Sequence, residues 1–364
     1  MNYYSIDVTD YYNNKFFTGP NHYIDWLLKL ATKAKKNVKS NNFVLICHIL
    51  FESYALEKQK DQQQYIELFK CFNERRINTV LLLCPWDSNI DRNNFKGTRI
   101  HIINYHAWLV HYLLIKQKQN DLNPKWNHQS KKYLMLTGKP HVANKIRLLW
   151  KLSKQNILED SIWSMLVRPG TWDQCKKLLP ELSNKEFKDF VQKYNRQADD
   201  VKIKFQTNTL HYFGIPYDVS IYEDTLFRII ADTRFRTTDK PMLSEKIYTT
   251  MLNRLPFIMA GDTGSIKWLR QQGFRTFENY LPISNYDDIH DQEQRLDAIV
   301  SNCKFWITGM TDKKNIEQDV EYNYNLLCAK IDQTENDMQV LTNEIGIGRL
   351  GVKDVCLNGK TLAV

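Results

Sequence analysis

The sequence lacks several features that would each indicate a particular class of protein. Its seven cysteines form no C-x-x-C pair and most lie in apolar runs, so we expect reduced core thiols and no zinc site. The longest apolar run, from Phe43 to Phe51, is far too short for a membrane span. The first residues lack the basic and apolar blocks of a signal peptide. These absences favour a cytoplasmic protein without a membrane span.

The composition that remains is that of an ordinary globular protein. Its 364 residues are 43% hydrophobic and 25% charged, which is enough for two domains, each with its own core. The formal net charge of +9 favours acidic partners such as nucleotides or a nucleic-acid backbone. The same charge also arises in lysine-rich sequences for compositional reasons alone.

Apolar runs and helical patterns alternate in the segment 227–277, which predicts a parallel sheet with crossover helices. Ser244 has the residue type of a helix N-cap, with Lys246 in the first turn after it. Pro256 ends that helix, and Gly261 closes the buried strand that follows. The predicted elements are strands at 227–231, 256–260 and 274–277, a helix from 245, and a helix from 265 to 273.

The first third of the chain contains three further buried runs, which predict a separate doubly wound domain. They cover 43–51, 78–83 and 99–103, and a polar stretch follows them. Another strand at 133–136, with a helix from about residue 143, opens the second half. We therefore predict a first domain at 1–125, a second domain at 126–310 and a C-terminal helical segment at 311–364.

Lys246 is the most informative residue of the central segment. A cation in the first turn of a helix opposes the positive end of the helix dipole, which costs about 0.3–1 kcal/mol. A ligand phosphate at that end would reverse the sign, because the free N–H groups and the ammonium would share one anion. The alternative is a solvated lysine that pairs with Glu245 or Asp239.

Ser244-Glu-Lys-Ile, followed by the Pro-Phe-Ile strand and a terminal glycine, resembles the donor-binding motif of fucosyltransferase-like glycosyltransferases of the GT-B type. Ala231-Asp-Thr is similar to their strand that ends in Glu-Asn or Glu-Thr, with Asp232 in place of the glutamate. The stretches 269–277 and 286–295 resemble viral or bacterial members, for which the compartment would be the host cytoplasm. The resemblance covers about residues 130–300.

This resemblance implies an α/β fold of GT-B type, with two Rossmann-like doubly wound parallel-sheet domains that face a cleft. The first domain would bind the acceptor, the second a UDP- or GDP-linked sugar, and the terminal helices would pack back on the first domain. In the family, a basic residue at the start of a helix contacts the donor diphosphate. The implied donor-binding residues are Ser244, Glu245, Lys246, Asp232, Lys145 or Arg147, and Gly261.

Ligands of open α/β sheets collect beyond the carboxyl ends of the strands, where a general base for the acceptor is expected. Glu52, His48 and His106 lie in or just after predicted strands and are the candidates, although each also fits a purely structural role. The sequence has no D-x-D motif that would hold a divalent cation with the donor, so we expect no metal requirement.

The predicted function is nucleotide-sugar-dependent glycosyl transfer, and the acceptor stays open at this point. A hydroxymethylated base in double-stranded DNA suits a basic protein, whereas a glycan acceptor suits the fucosyltransferase resemblance. A non-catalytic nucleotide- or nucleic-acid-binding protein of the same fold is the third alternative. The candidate contacts to DNA phosphates are Lys33, Lys35, Lys36, Lys39, Lys131 and Lys132.

Overall fold

A computed structural model of the protein shows strands and helices that alternate from Tyr133 onward. The chain divides into two compact units, one formed by Met1–Lys118 with Ala329–Val364 and the other by Gln119–Cys328. The structure describes residues 2–7, 43–49, 70–74, 78–83, 99–104, 125–130, 132–159, 161–196, 220–238, 241 and 243–344.

The first unit contains a parallel four-stranded sheet in the order β1-β2-β3-β4. Its strands are β1 (Asn2–Asp7), β2 (Phe43–Ile49), β3 (Asn78–Leu83) and β4 (Ile100–Asn104). The strands β2 to β4 were predicted, whereas β1 was not. Because consecutive strands are neighbours, the described part of this sheet advances in one direction, and the doubly wound form of this domain stays a prediction.

The second unit is an α/β domain with a four-stranded, all-parallel sheet flanked by helices, and is Rossmann-like. Its strands are β5 (Tyr133–Thr137), β6 (Ile162–Met165), β7 (Phe227–Ala231) and β8 (Phe257–Ala260). Its described helices are α1 (Lys145–Lys154), α2 (Trp172–Lys177), α3 (Asn184–Tyr194), α4 (Ser220–Glu223), α5 (Glu245–Leu252), α6 (Ser265–Gln271), α7 (Gln292–Gly309) and α8 (Lys313–Glu344), the last of which continues into the first unit.

The strand order of the second sheet is β6-β5-β7-β8, and every pairing is parallel. Parallel strands covered on both faces are continuously apolar, and all residues of β7 and β8 are indeed buried. Arg228 is the charged exception within β7, and its guanidinium donates to the Thr250 hydroxyl of α5 at 3.2 Å. This bond ties α5 to the strand it follows.

Helices α1 and α7 are joined by charged side chains. Lys151 of α1 contacts Asp297 of α7 at 2.5 Å, and Arg147 is hydrogen-bonded to Glu293. Aromatic rings fill the core beneath α7, where Phe227 packs edge-on to Trp306 with ring centroids 5.1 Å apart. These contacts attach the first turns of α7 to α1 and its last turn to β7.

Both edges of this sheet are occupied by other parts of the chain. Met165 of β6 exchanges two backbone hydrogen bonds with Arg196, of 2.9 and 2.8 Å. On the opposite edge, the Met259 N–H of β8 donates to the Tyr286 hydroxyl at 3.0 Å. Polar backbone groups at these two points are therefore paired without a further strand.

The predicted strand at 274–277 is wrong. This segment is irregular because the side chain of Asn323, on α8, takes the hydrogen bonds that a strand would need. Asn323 accepts from Arg275 N at 2.8 Å and donates to Arg275 O at 2.7 Å. The residue that prevents the strand is thus remote in sequence.

Among the helices that the structure describes, none combines the length and apolarity that a bilayer span requires. Four described cysteines carry free thiols: Cys71, Cys175, Cys303 and Cys328. Two of them, Cys175 and Cys303, are buried in the core as predicted.

Candidate functional site

The topology of the second sheet defines where a ligand is expected. Within the sheet, β5 has β6 as its neighbour on one side and β7 on the other. The chain passes from β5 to β6 and then returns across β5 to β7. The loops that leave the carboxyl ends of β5 and β7 therefore diverge, and such a switch point is the usual ligand crevice of open α/β sheets. Its described walls are the segments 138–144 and 232–238, with residues 243–244 at the beginning of α5.

The loop after β5 carries a concentration of positive charge. Lys145, the first residue of α1, is 6% exposed, and Lys139 precedes it in the same loop. Burial, followed by the charges of these two lysines, lowers the pKa of His141 between them. A neutral imidazole beside two ammonium groups makes this wall attractive to an anion. His141 was not among the predicted site residues, and its position between two lysines after a strand was the available signal.

The loop after β7 is organised by Asp232. Its side chain is completely buried, and both carboxylate oxygens accept backbone hydrogen bonds. Thr233 N–H donates to Oδ1 at 2.7 Å, and Ser244 N–H donates to Oδ2 at 3.0 Å. Asp232 thus connects the end of β7 with the beginning of α5, which are twelve residues apart in the chain.

Ser244 is the N-cap of α5, as predicted, with an extended backbone at φ −93° and ψ 176°. Its hydroxyl makes no capping bond to the helix and instead accepts from Lys246 Nζ at 3.1 Å. The half-buried ammonium of Lys246 is therefore turned back toward the N-terminal end of α5. Glu245 belongs to α5 by its backbone, and its side chain lies outside the described part.

Gly261 follows β8 where the backbone passes close to Asp232. A Cβ atom at this position would lie 2.9 Å from Met259 Cε and 3.5 Å from Asp232 Cβ. The predicted glycine therefore keeps the carboxylate of Asp232 close to the end of β8.

Asp262, the next residue, links the loops after β7 and β8. It accepts from Arg236 N at 2.8 Å and forms a buried ion pair with Arg234 at 2.9 Å.

The structure brings together Asp232, Ser244 and Lys246, with Gly261 adjoining Asp232. Arg147 points to other partners, because Glu293 and Glu181 bind its guanidinium. The hydrogen bond to Glu293 is the largest cause of the raised pKa of Arg147, and Glu181 adds to it. Lys145, whose charge acts on His141, is thus the basic residue of α1 at the crevice.

The predicted catalytic residues belong to the first unit. Glu52 and His106 lie outside the described residues, and of His48 the structure describes only the backbone, in β2. Within the described ranges, no group of three or more His, Cys, Asp and Glu side chains is arranged to hold a metal ion.

Asp287 is a third buried carboxylate, after Asp232 and Asp262. It is 6% exposed and accepts from Ile266 N, in the first turn of α6, at 2.8 Å. Burial raises the pKa of Asp287 to about 7; Asp288 and Glu278 add to the increase, whereas the Ile266 N–H and the Arg295 charge oppose it. A carboxylate in this state exchanges its proton near neutral pH.

No known protein family matches this sequence, and a search of curated proteins finds no significant relative. The function is therefore inferred from the residues and their geometry.

Replacement of Asp232 by asparagine should destabilise the protein by about 1–3 kcal/mol, because the amide nitrogen that takes the place of one carboxylate oxygen cannot accept a backbone N–H. Urea unfolding of wild type and Asp232→Asn measures the difference. Asp189→Asn, on α3, is the control for loss of a remote carboxylate. Equal stability of Asp232→Asn and wild type would contradict the bridging role.

Asp287 should make the protein more stable as the pH falls from 8 to 5. Its pKa is about 7 in the folded protein against an ordinary 3.8, so the folded state binds the proton first in this interval. The contribution is about 2 kcal/mol. Asp287→Asn keeps an acceptor for Ile266 N–H but cannot titrate, and its unfolding free energy should lack this increase. Asp288→Asn should retain most of it. Parallel pH profiles of wild type and Asp287→Asn would show the assignment to be incorrect.

Proposed function

We propose that this protein is a nucleotide-sugar-dependent glycosyltransferase of the GT-B type, and that its second unit binds the donor. The observation that carries the proposal is the arrangement at the switch point, where Asp232 fixes Ser244 and Ser244 in turn receives the ammonium of Lys246. Lys246 is held at the positive end of α5, where a bound anion would interact favourably with both its charge and the helix dipole.

A diphosphate is the anion that suits this crevice. Lys145 and Lys246 lie in the first turns of the helices that follow β5 and β7, the two strands whose loops diverge. In glycosyl transfer, negative charge develops on the departing nucleoside diphosphate, and fixed cations and helix N-termini stabilise it electrostatically. This proposal assigns that role to Lys246 and Lys145 and needs no metal.

The sugar hydroxyl groups would be bound from the same helix. We assign this contact to Glu245, which adjoins both Ser244 and Lys246 in the chain. Asp232 was predicted to share the contact, but both of its oxygens already accept backbone N–H groups. We therefore propose that Asp232 holds the loop and that Glu245 accepts hydrogen bonds from the sugar hydroxyl groups.

The acceptor would be bound by the first unit in a two-domain GT-B arrangement. Glu52, His48 and His106 are the candidate bases there, and a base takes the acceptor proton if the reaction inverts the anomeric centre. The net charge of +9 supports a DNA acceptor, such as a hydroxymethylated base that carries its own nucleophilic oxygen. A glycan acceptor is the competing possibility.

A nucleoside diphosphate should stabilise the wild-type protein, and substitution of Lys246 should remove most of this effect. At a ligand concentration one hundred times Kd, the linkage amounts to about 2.7 kcal/mol. Thermal unfolding with UDP, GDP and their sugar conjugates measures it in wild type, Lys246→Ala and the control Lys188→Ala, an exposed lysine of α3.

If none of these nucleotides shifts the wild-type unfolding temperature, the donor proposal fails. Stabilisation without hydrolysis or transfer of any sugar would instead identify a nucleotide-binding protein without transferase activity. Equal shifts in Lys246→Ala and Lys188→Ala would place the nucleotide elsewhere.

The acceptor is tested by transfer of a labelled sugar from the donor identified above. A duplex with hydroxymethylated cytosine should accept the label, whereas the unmodified duplex, which lacks the nucleophilic hydroxyl, should not. Retention on the duplex should also decrease steeply with salt, because phosphate contacts release counterions. Transfer to oligosaccharides but not to the modified duplex would replace the DNA acceptor with a glycan.

A further inference from the structure

Arg295 lies in the first part of α7 and is 1% exposed. Its guanidinium stacks on the ring of Phe235, at 3.9 Å from the ring centroid. None of its three nitrogen atoms has a hydrogen-bond partner within the described part of the protein. A buried guanidinium without hydrogen bonds is unfavourable, so another interaction must hold this side chain in place.

Two buried carboxylates supply the opposing charge. Asp287 and Asp262 both act electrostatically on Arg295 and oppose the effect of burial, which lowers its pKa. Each carboxylate also accepts a backbone N–H from a different segment: Asp262 from Arg236 in the loop after β7, and Asp287 from Ile266 in the first turn of α6. The charge of Arg295 therefore acts on two carboxylates that each bind the backbone of another segment.

The three partners of Arg295 belong to three consecutive segments at the carboxyl edge of the sheet. Phe235 lies in the loop after β7, Asp262 follows β8, and Asp287 lies in the 3-10 turn Tyr286–Asp288. The loop after β7 also contains Asp232, which fixes the beginning of α5. With Phe235 against it and 1% exposure, Arg295 offers no open face to a ligand in this structure.

We propose that Arg295 is a positioning residue of the donor site, whose charge and ring contact hold the loop 232–238 in the form that brings Asp232 to Ser244. The description of this loop as part of a donor site rests on the proposed function, whereas the holding of the loop does not. Because no hydrogen bond of the guanidinium is involved, a lysine at this position retains the charge and the cation–π contact with the ring, whereas methionine has no charge and can make only an uncharged contact with the ring.

Hydrogen–deuterium exchange of the full-length protein tests the proposal without any ligand. In Arg295→Met, amides of 232–238, 243–244 and 261–266 should exchange roughly tenfold faster than in wild type, because these segments lose the cation that joins them. Exchange in β5, β6 and α3 should be unchanged. Arg295→Lys should restore protection in both segments. Phe235→Leu keeps all charges but removes the ring, so amides of 232–238 should exchange faster. This variant replaces Arg295→Met as the test if Arg295→Met does not fold.

Unchanged exchange in Arg295→Met, or a uniform increase that includes β5, β6 and α3, would overturn the proposal. An Arg295→Lys variant that exchanges as fast as Arg295→Met would also overturn it, because the guanidinium group itself, and not only its charge, would then be required. UDP and GDP titrations of the same variants separate the two proposals. A wild type that binds neither nucleotide removes the donor site but leaves the loop result standing. Wild-type affinity in Arg295→Met with exposed loops would show that the loop is held but does not position a donor.

Discussion

The carboxylate of Asp232 is the connection on which the rest of the candidate site depends. It lies at the end of a buried parallel strand and accepts two backbone N–H groups, one from its own loop and one from the beginning of the next helix. Charge-assisted hydrogen bonds of this kind are stronger than neutral ones, and here they are completely shielded from water. The place where α5 begins, and hence the direction of Lys246, follows from this one side chain.

In the sheet of the second unit, β7 and β8 are almost entirely uncharged, and charged side chains follow their carboxyl ends. The strands β7 and β8 are buried throughout, and beyond their carboxyl ends come the buried acidic groups Asp232, Asp262 and Asp287. Asp262 and Asp287 interact electrostatically with Arg295, whereas Asp232 accepts hydrogen bonds from backbone N–H groups. The apolar strands are thus followed by charged loops, and α1 and α5 begin beside them with Lys145 and Lys246 in their first turns.

The parts of this architecture that follow from short-range patterns could be predicted from the sequence. Continuous apolar runs identified β5, β7 and β8, of which β5 and β8 are followed by a glycine, and the serine before Glu245 identified the start of α5. Interactions between distant residues could not be predicted. Asn323 withdraws the backbone of Arg275 from a strand, and no local pattern around Phe274 reveals this. Likewise, nothing in the sequence around Arg295 indicates that its side chain is buried.

The pairing of Met259 with the hydroxyl of Tyr286 bears on how molecules of this protein meet one another. An outer strand with unpaired amide groups is a template on which a strand of a second molecule can form, and this is a common route to aggregation. At β8 a phenol occupies one of these positions, and at β6 a short antiparallel bridge occupies another. Self-association through continuation of this sheet is therefore discouraged at both sides, and contacts between copies would have to use helical surfaces.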